Sequence, residues 1–136
     1  MELTGGCQCG AVRYRVRGEP QHRALCHCAD CRKSAGAPVV GWAAFAESDF
    51  SVEQGQAATF NSSGASMRSF CPNCGTGLYF RNAETLPGIV DIQIATLDEP
   101  DALPPDAQIQ VAERIGWMKD AHNLPAFKRY PGMPED

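Results

Sequence analysis

The chain has 136 residues, of which 43% are apolar, and a formal net charge of -4 at pH 7. This length and composition predict a single domain over residues 1–136 with one hydrophobic core. The acidic balance, without a contiguous basic stripe, argues against nucleic acid as the main partner. The start lacks a charged segment followed by an apolar stretch, and no run approaches the roughly 18 apolar residues of a membrane span. We therefore expect no membrane partner and a cytoplasmic location.

Short strands punctuated by turns dominate the predicted secondary structure. Val12, Tyr14 and Val16 alternate with arginines, which predicts a half-buried strand with one solvated face. Further strands are predicted at 39–45, 50–53, 58–61, 67–70, 78–81, 89–97 and 108–114. Helix is predicted only at 29–35 and as a single turn near 98–103. With thirteen glycines and ten prolines, this pattern favours an all-β sandwich or open barrel, followed by a polar, fraying terminus from Pro131.

The seven cysteines are the most informative feature of the chain. They form three clusters, Cys7-x-Cys9, Cys26-x-Cys28-x-x-Cys31 and Cys71-x-x-Cys74. In a reducing cytoplasm such clusters indicate metal ligands or redox groups rather than disulfides. Seven is one short of what two closed four-thiolate zinc sites need, so one site is expected to be open. An open zinc keeps a position for water or substrate, whereas a closed zinc only stabilises the fold.

The third cluster is the strongest local signal for zinc. Pro72 favours a turn between Cys71 and Cys74, and Gly75 can adopt positive φ, which lets backbone N–H groups reach the thiolates. A redox Cys-x-x-Cys pair usually opens a helix, and the apolar strand that follows here leaves little room for one.

Spacing alone leaves two ways to pair the ligands. Cys71 and Cys74 can close a zinc site with Cys7 and Cys9, or they can do so with Cys28 and Cys31. Either pairing leaves a three-thiolate remainder. The first pairing keeps each local cluster intact and is favoured for that reason.

Several other residues lie near these clusters or carry suitable chemistry. Arg32 and Lys33 follow the second cluster, where they could offset its charge, hold a substrate carboxylate or simply be solvated. His27 lies between two ligands, and its side chain is expected to point away from the metal, in packing or in support of a ligand. The remaining candidates are expected at the surface or in the core: His22, His122, Trp42, Phe45, Tyr79 and Phe80. An aromatic wall of a ligand pocket is the alternative role of the last four.

Three segments carry a resemblance to a known family. They are Gly6-Cys-Gln-Cys-Gly-Ala-Val-Arg-Tyr14, Cys26-His-Cys-Ala-Asp-Cys-Arg-Lys-Ser-Ala-Gly-Ala37 and Arg68-Ser-Phe-Cys-Pro-Asn-Cys-Gly-Thr-Gly-Leu78. In this order, with all seven cysteines, the chain resembles the glutathione-dependent formaldehyde-activating enzyme family, which includes the centromere protein V type domain. Segments 95–98 and 117–127 extend the likeness over nearly the whole chain.

The resemblance implies a fold, two zinc sites and an activity. The fold is Mss4-like and mainly β, with short antiparallel strands, zinc knuckles and very little helix. A structural zinc is implied at Cys7, Cys9, Cys71 and Cys74, and a second, catalytic zinc is implied at Cys26, Cys28 and Cys31. The implied activity is that of a carbon–sulfur lyase, which joins formaldehyde and glutathione to S-hydroxymethylglutathione and reverses the reaction.

Two classes of function follow from these observations. An open Zn²⁺ held by three thiolates suits a thiol and a carbonyl substrate, and it is a softer Lewis acid than a three-histidine site. The first class is therefore a zinc enzyme acting on a thiol–aldehyde adduct, with a small thiol such as glutathione as its partner. The second is a non-catalytic, zinc-stabilised protein-interaction module, since the same fold serves both roles. Exchangeability of the second zinc distinguishes them.

Overall fold

The computed structural model describes residues 1–134, which form mainly short strands. The strands are β1 Glu2–Gly6, β2 Arg13–Arg17, β3 His22–Cys26, β4 Val40–Ala46, β5 Phe50–Gln54, β6 Ala58–Ser63, β7 Ser66–Phe70, β8 Gly77–Asn82, β9 Ile89–Gln93 and β10 Ala107–Ile109. The helix α1 spans Ala29–Ala35. Short 3-10 helices occupy Glu47–Asp49, Ile94–Thr96, Pro100–Ala102, Val111–Glu113 and Gly116–Asn123. Within this part of the chain no helix is long and apolar enough to cross a bilayer.

The strands build two sheets that enclose the main core. The small sheet has the order β1-β2-β5, and the large sheet has the order β10-β3-β4-β9-β8-β7-β6. Pairing is antiparallel except between β10 and β3, which run parallel. Tyr14 and Val16 of the small sheet share one buried cluster with Phe45, Val90 and Ile92 of the large sheet. The alternation that predicted a half-buried strand at 12–16 therefore points its apolar side chains between the sheets.

The opposite face of the large sheet carries the second cysteine cluster. Side chains alternate along β4, so Phe45 enters the main core while Trp42 lies on the other face. There Trp42 packs with Cys26, Cys31 and Val40 in a second, smaller cluster. Because Cys31 belongs to α1, this apolar contact seats the helix on the sheet.

Both ends of α1 are defined by local geometry. The helix begins after Cys28, which has an extended backbone and whose sulfur accepts the N–H of Cys31 at 3.2 Å. It ends at Gly36, which has a left-handed φ of 63° and donates its N–H to the carbonyl of Arg32 at 2.8 Å. The helix predicted at 29–35 is confirmed, and so is the turn near 98–103.

The prediction for 108–114 was wrong beyond Ile109. The strand ends there because Gln110 adopts a left-handed φ of 56°, and Val111–Glu113 then form a 3-10 turn. The strand predicted at 89–97 ends at Gln93 for a similar reason, since the backbone tightens into the 3-10 turn Ile94–Thr96. The predicted terminus from Pro131 is an exposed turn as far as residue 134, and residues 135–136 lie outside the described part.

Two strands were not predicted. β1 contains Gly5 and Gly6 and has a weak intrinsic strand preference, yet it pairs with β2 along its whole length. A side chain at Gly5 would come within 2.5 Å of the Tyr14 hydroxyl, so the glycine permits this close approach. β3 was missed because it ends at Cys26, which the sequence pattern places in the cysteine cluster and not in a strand. It pairs with β4 from His22 to Cys26.

Candidate metal centres and adjoining cavity

The first group of cysteines joins the two sheets. Cys7 and Cys9 lie after β1 of the small sheet, whereas Cys71 and Cys74 lie in the turn between β7 and β8 of the large sheet. The four Sγ atoms all lie within 4.8 Å of one another. Sγ of Cys9 is 3.6 Å from that of Cys7 and 3.8 Å from that of Cys71. A tetrahedral zinc with Zn–S bonds of about 2.3 Å requires sulfurs about 3.8 Å apart, so the group fits such an ion.

Backbone and side-chain donors surround these sulfurs. The Val12 N–H donates to Sγ of Cys7 at 3.2 Å, and the Asn73 amide donates to Sγ of Cys9 at 3.3 Å. Hydrogen bonds from Thr76 lower the pKa of Cys74 to about 5. Gly75 has the positive φ expected of it, at 83°. This environment favours the thiolate form of Cys74, the form in which cysteine binds a metal.

The second group lies at the start of α1. Cys26 ends β3, Cys28 precedes the helix and Cys31 belongs to its first turn. Their Sγ atoms also lie within 4.8 Å of one another, and within residues 1–134 no histidine or carboxylate completes this set. The sulfurs thus group as in the first of the two pairings that spacing allowed. The set can hold a metal ion through three protein ligands, which leaves one tetrahedral position without a protein ligand.

Charge is unevenly distributed over this second group. Hydrogen bonding to Cys26, assisted by Cys28 and by the guanidinium of Arg68, lowers the pKa of Cys31 to about 5. The same contact with Cys31, together with burial, raises the pKa of Cys26. Cys31 is therefore the sulfur of this group that most readily carries negative charge.

His27 points away from the sulfurs and is almost fully buried, at 1% exposure. Its Nε2 lies 2.8 Å from Oε1 of Gln108 on β10, and its backbone N–H donates to the carbonyl of Ile109. The histidine thus fixes the edge strand to the cluster loop, in line with the packing role expected for it. His122 is exposed, and His22 lies partly exposed 3.5 Å from Asp91.

A cavity of about 520 Å³ opens between α1 and the β6–β7 hairpin. Its wall includes Asp30 and Lys33 of α1, Arg68 of β7, and the aromatic rings of Trp42 and Tyr79. The three cysteines of the second group do not line the cavity, but Asp30 and Arg68 of its wall adjoin Cys31. Phe80 packs against Trp42 with ring centroids 5.9 Å apart, while Phe45 is buried in the main core. Of the four aromatic residues considered, two therefore line the cavity, one supports it from behind and one belongs to the core.

The two cations after Cys31 differ in their surroundings. Arg32 donates from Nε to the carbonyl of His27 at 3.2 Å and from Nη2 to that of Glu113 at 3.4 Å. Lys33 is exposed and lines the cavity. Arg32 thus joins α1 to neighbouring loops, while the ammonium group of Lys33 is available to the cavity.

Sequence reasoning missed Arg68 and Asp30 as parts of this region. Nη2 of Arg68 lies 2.7 Å from Oδ2 of Asp30 and 3.6 Å from Sγ of Cys31. The only signal in the sequence was that Arg68 stands in a strand pattern just before a cysteine cluster, which gives no hint of a partner 37 residues away.

A family profile connects this geometry with known proteins. The profile described as "Glutathione-dependent formaldehyde-activating enzyme" matches residues 2–113. The chain belongs to this family. The resemblance inferred from the three cysteine segments is therefore confirmed, and the matched range contains both sulfur groups and the cavity wall.

Relatives of this formaldehyde-activating family member carry consistent names. A protein of Schizosaccharomyces pombe named as an uncharacterized lyase is 31% identical over 114 residues, which cover 74% of this chain and 82% of the relative. A protein of Halomonas elongata, provisionally named a glutathione-dependent formaldehyde-activating enzyme, is 27% identical over 145 aligned positions, covering 100% and 91%. These names support an enzyme of the lyase type.

A solved structure supports the fold of the family member. A crystal structure of a Rhodobacter sphaeroides protein superposes with a TM-score of 0.63 at 23% identity and covers 78% of this chain and 99% of that one. The mainly β, Mss4-like architecture with cysteine knuckles expected from the sequence is confirmed.

Proposed function

We propose that this protein is a zinc-dependent carbon–sulfur lyase acting on a thiol–aldehyde adduct, such as S-hydroxymethylglutathione, in the direction of formation or cleavage. The observation that carries the proposal is the three-sulfur group beside a cavity of about 520 Å³. Pockets of roughly 300–1,000 Å³ accommodate small organic ligands, and a small peptide thiol is of this size. The seven free cysteines agree with a reducing, cytoplasmic location.

Zinc is the proposed ion at both sulfur groups. All-sulfur tetrahedral sets favour soft or borderline ions, of which zinc is the usual structural one. We assign the structural zinc to Cys7, Cys9, Cys71 and Cys74, and the exchangeable, catalytic zinc to Cys26, Cys28 and Cys31. When bound at the second group, zinc supplies a Lewis acid that favours the thiolate form of a thiol and polarises a carbonyl oxygen.

The proposed reaction balances without a further reactant. In the forming direction a thiol adds to an aldehyde: a carbon–sulfur bond forms, the carbonyl π bond breaks, and the thiol proton ends on the new hydroxyl. Cleavage is the reverse. The residues of this chain are proposed to bind and orient the two partners, which converts their encounter into a reaction within one site.

The cavity wall suggests how a thiol with a carboxylate would lie. Lys33 presents an ammonium group to the cavity and is proposed to pair with a substrate carboxylate. Trp42 and Tyr79 provide an apolar wall for the rest of the ligand. Arg32, whose donors go to backbone carbonyls, is proposed to offset the negative charge of the second group and to keep Lys33 in place.

Exchange spectroscopy by NMR on formaldehyde and glutathione at equilibrium tests this proposal, because it measures turnover above the uncatalysed background. The zinc-loaded wild-type protein is expected to accelerate exchange, and Cys28→Ser is expected to return it to the background rate. Lys33→Ala should weaken the apparent affinity for the thiol. Lys119→Ala, which removes an exposed lysine outside the cavity, is the matched control and should behave as wild type.

The same measurement can overturn the proposal. Equal exchange rates for wild type, Cys28→Ser and protein-free solution, across a panel of thiols and aldehydes, would exclude the lyase and leave the protein-interaction module. Circular dichroism of each variant shows whether a lost rate reflects lost fold.

A further inference from the structure

Arg68 is a nearly buried cation in a region rich in sulfur. Its side chain is 11% exposed, although it extends from β7 near the edge of the large sheet. Its guanidinium lies 4.9 Å from the ring centroid of Phe80, its partner in the strand register. A buried guanidinium is costly unless its donors and its charge are matched, so the partners of Arg68 show what this position is built for.

Those partners converge on the first turn of α1. Nη2 of Arg68 lies 2.7 Å from Oδ2 of Asp30 and 3.6 Å from Sγ of Cys31, while Nε donates to Oγ of Ser62 at 2.9 Å. Oδ2 of Asp30 also accepts the hydroxyls of Ser62 and Ser63, at 3.0 and 3.3 Å. One guanidinium therefore connects the β6–β7 hairpin to two consecutive residues of the helix, one of which is in the three-sulfur group.

Because α1 is short, its contacts with Arg68 matter for the orientation of Cys31. With seven residues, α1 is too short to be stable by itself, so the direction of the Cys31 side chain depends on what holds the first turn. Groups that donate to a metal ligand orient it, and their removal typically weakens metal binding. Arg68 donates to Cys31 and, through Asp30, restrains the backbone beside it.

We propose that Arg68 is a positioning residue for the three-sulfur group, which orients the Cys31 sulfur for metal binding and fixes α1 as one wall of the cavity. The inference rests on the proposed zinc at Cys26, Cys28 and Cys31. It adds to the proposed function a residue from a different part of the fold that sets how firmly the metal is held.

The test is zinc release to a coloured chelator from protein loaded with two zinc ions per chain. Wild type is expected to release zinc in a fast phase from the three-sulfur group and a slow phase from the four-sulfur group. Arg68→Lys keeps the charge but loses the planar fork, so the fast phase should accelerate about 10- to 100-fold while the slow phase stays unchanged. Asp30→Asn should accelerate the same phase.

Arg81→Lys is a matched control. Arg81 also lies over aromatic rings, 5.0 Å from the centroid of Tyr79, and pairs with the carboxylate of Glu47. These contacts lie away from the three-sulfur group, so both release phases should match those of wild type. If Arg68 only stabilised the sheet, Arg68→Lys and Arg81→Lys would alter the melting temperature alike and leave the relative rates of the two phases unchanged.

The outcomes separate this inference from the proposed function. Unchanged fast release in Arg68→Lys and Asp30→Asn would overturn the positioning role, even if the lyase assay succeeds. Accelerated release with no lyase activity in wild type would support the positioning role and overturn the lyase. If Arg68→Lys does not fold, Asp30→Asn decides the result. A wild-type protein that binds no second zinc would overturn the inference together with the site on which it rests.

Discussion

Asp91 is a buried carboxylate on β9 that faces His22 of β3. It is 6% exposed, and its Oδ1 lies 3.5 Å from Nε2 of His22 without forming a hydrogen bond. Burial raises the pKa of Asp91 from 3.8 to about 6, although the charge of protonated His22 acts in the opposite direction. The folded state therefore holds the proton of Asp91 more tightly than the unfolded state does.

The expected consequence is a loss of stability as the pH rises. Between the unfolded pKa of 3.8 and the folded pKa of about 6, the unfolded chain releases the proton first, so the free energy of unfolding falls. This difference of about 2 pKa units corresponds to roughly 3 kcal/mol. Asp91→Asn removes the ionisation, so the variant should gain stability over wild type from about pH 4 to pH 7, by up to roughly this amount.

Denaturant unfolding at several pH values measures that difference. Asp106→Asn is the control, since it removes a carboxylate that is 63% exposed and paired with Arg23. The prediction would be contradicted if the difference in free energy of unfolding between Asp91→Asn and wild type were the same at pH 4 and at pH 7.

Individual residues differ in how far the sequence reveals their roles. The grouping of Cys26, Cys28 and Cys31 could be predicted because the ligands are close in sequence and their geometry is local. The contact between Arg68 and Asp30 spans 38 residues and depends on the register of β7 and on the seating of α1. No local pattern encodes such a contact, so it emerges only when the sheet is assembled.

At the scale of elements, the sequence predicted those helices and strands whose limits depend on residues within the same segment. The extent of α1 follows from its two ends, a sulfur acceptor before it and a left-handed glycine after it. β1 and β3 have no such signals. β1 forms because β2 provides a partner along its full length, and β3 forms because it pairs with β4 from His22 to Cys26. Strand pairing between distant segments decides these elements, and a pattern within one segment does not report it.

The short span of the second group predicts that its metal contributes little to folding. Cys26, Cys28 and Cys31 lie within six residues at the start of α1, so an ion bound there links little of the chain. Cys28→Ser should therefore lose about one zinc per chain while its thermal melt stays cooperative. Metal analysis together with circular dichroism measures both quantities. If the zinc released first under mild chelation belonged instead to Cys71 and Cys74, the assignment of the two sites would be reversed.

At the scale of the whole molecule, the four-sulfur group connects two sheets whose apolar side chains share one core. Cys7 and Cys9 follow β1, and Cys71 and Cys74 precede β8, so an ion bound there would take its ligands from segments more than 60 residues apart. The sequence, together with the family resemblance, predicted that these four cysteines group together. It did not predict that they belong to opposite sheets, because the assignment of strands to sheets depends on long-range pairing.

This connection predicts a global effect when one of its ligands is lost. The binding free energy of structural zinc is of the same order as the total stability of a typical domain, and it is available only when the ligands are assembled by folding. Cys74→Ser should therefore reduce zinc content and abolish or strongly lower the cooperative melt, unlike Cys28→Ser, which removes a sulfur from the locally formed group. Thermal melts of the two variants, each with its zinc content measured, make the comparison. A Cys74→Ser protein with wild-type melting and full metal content would show that the four-sulfur group is not needed to hold the sheets together.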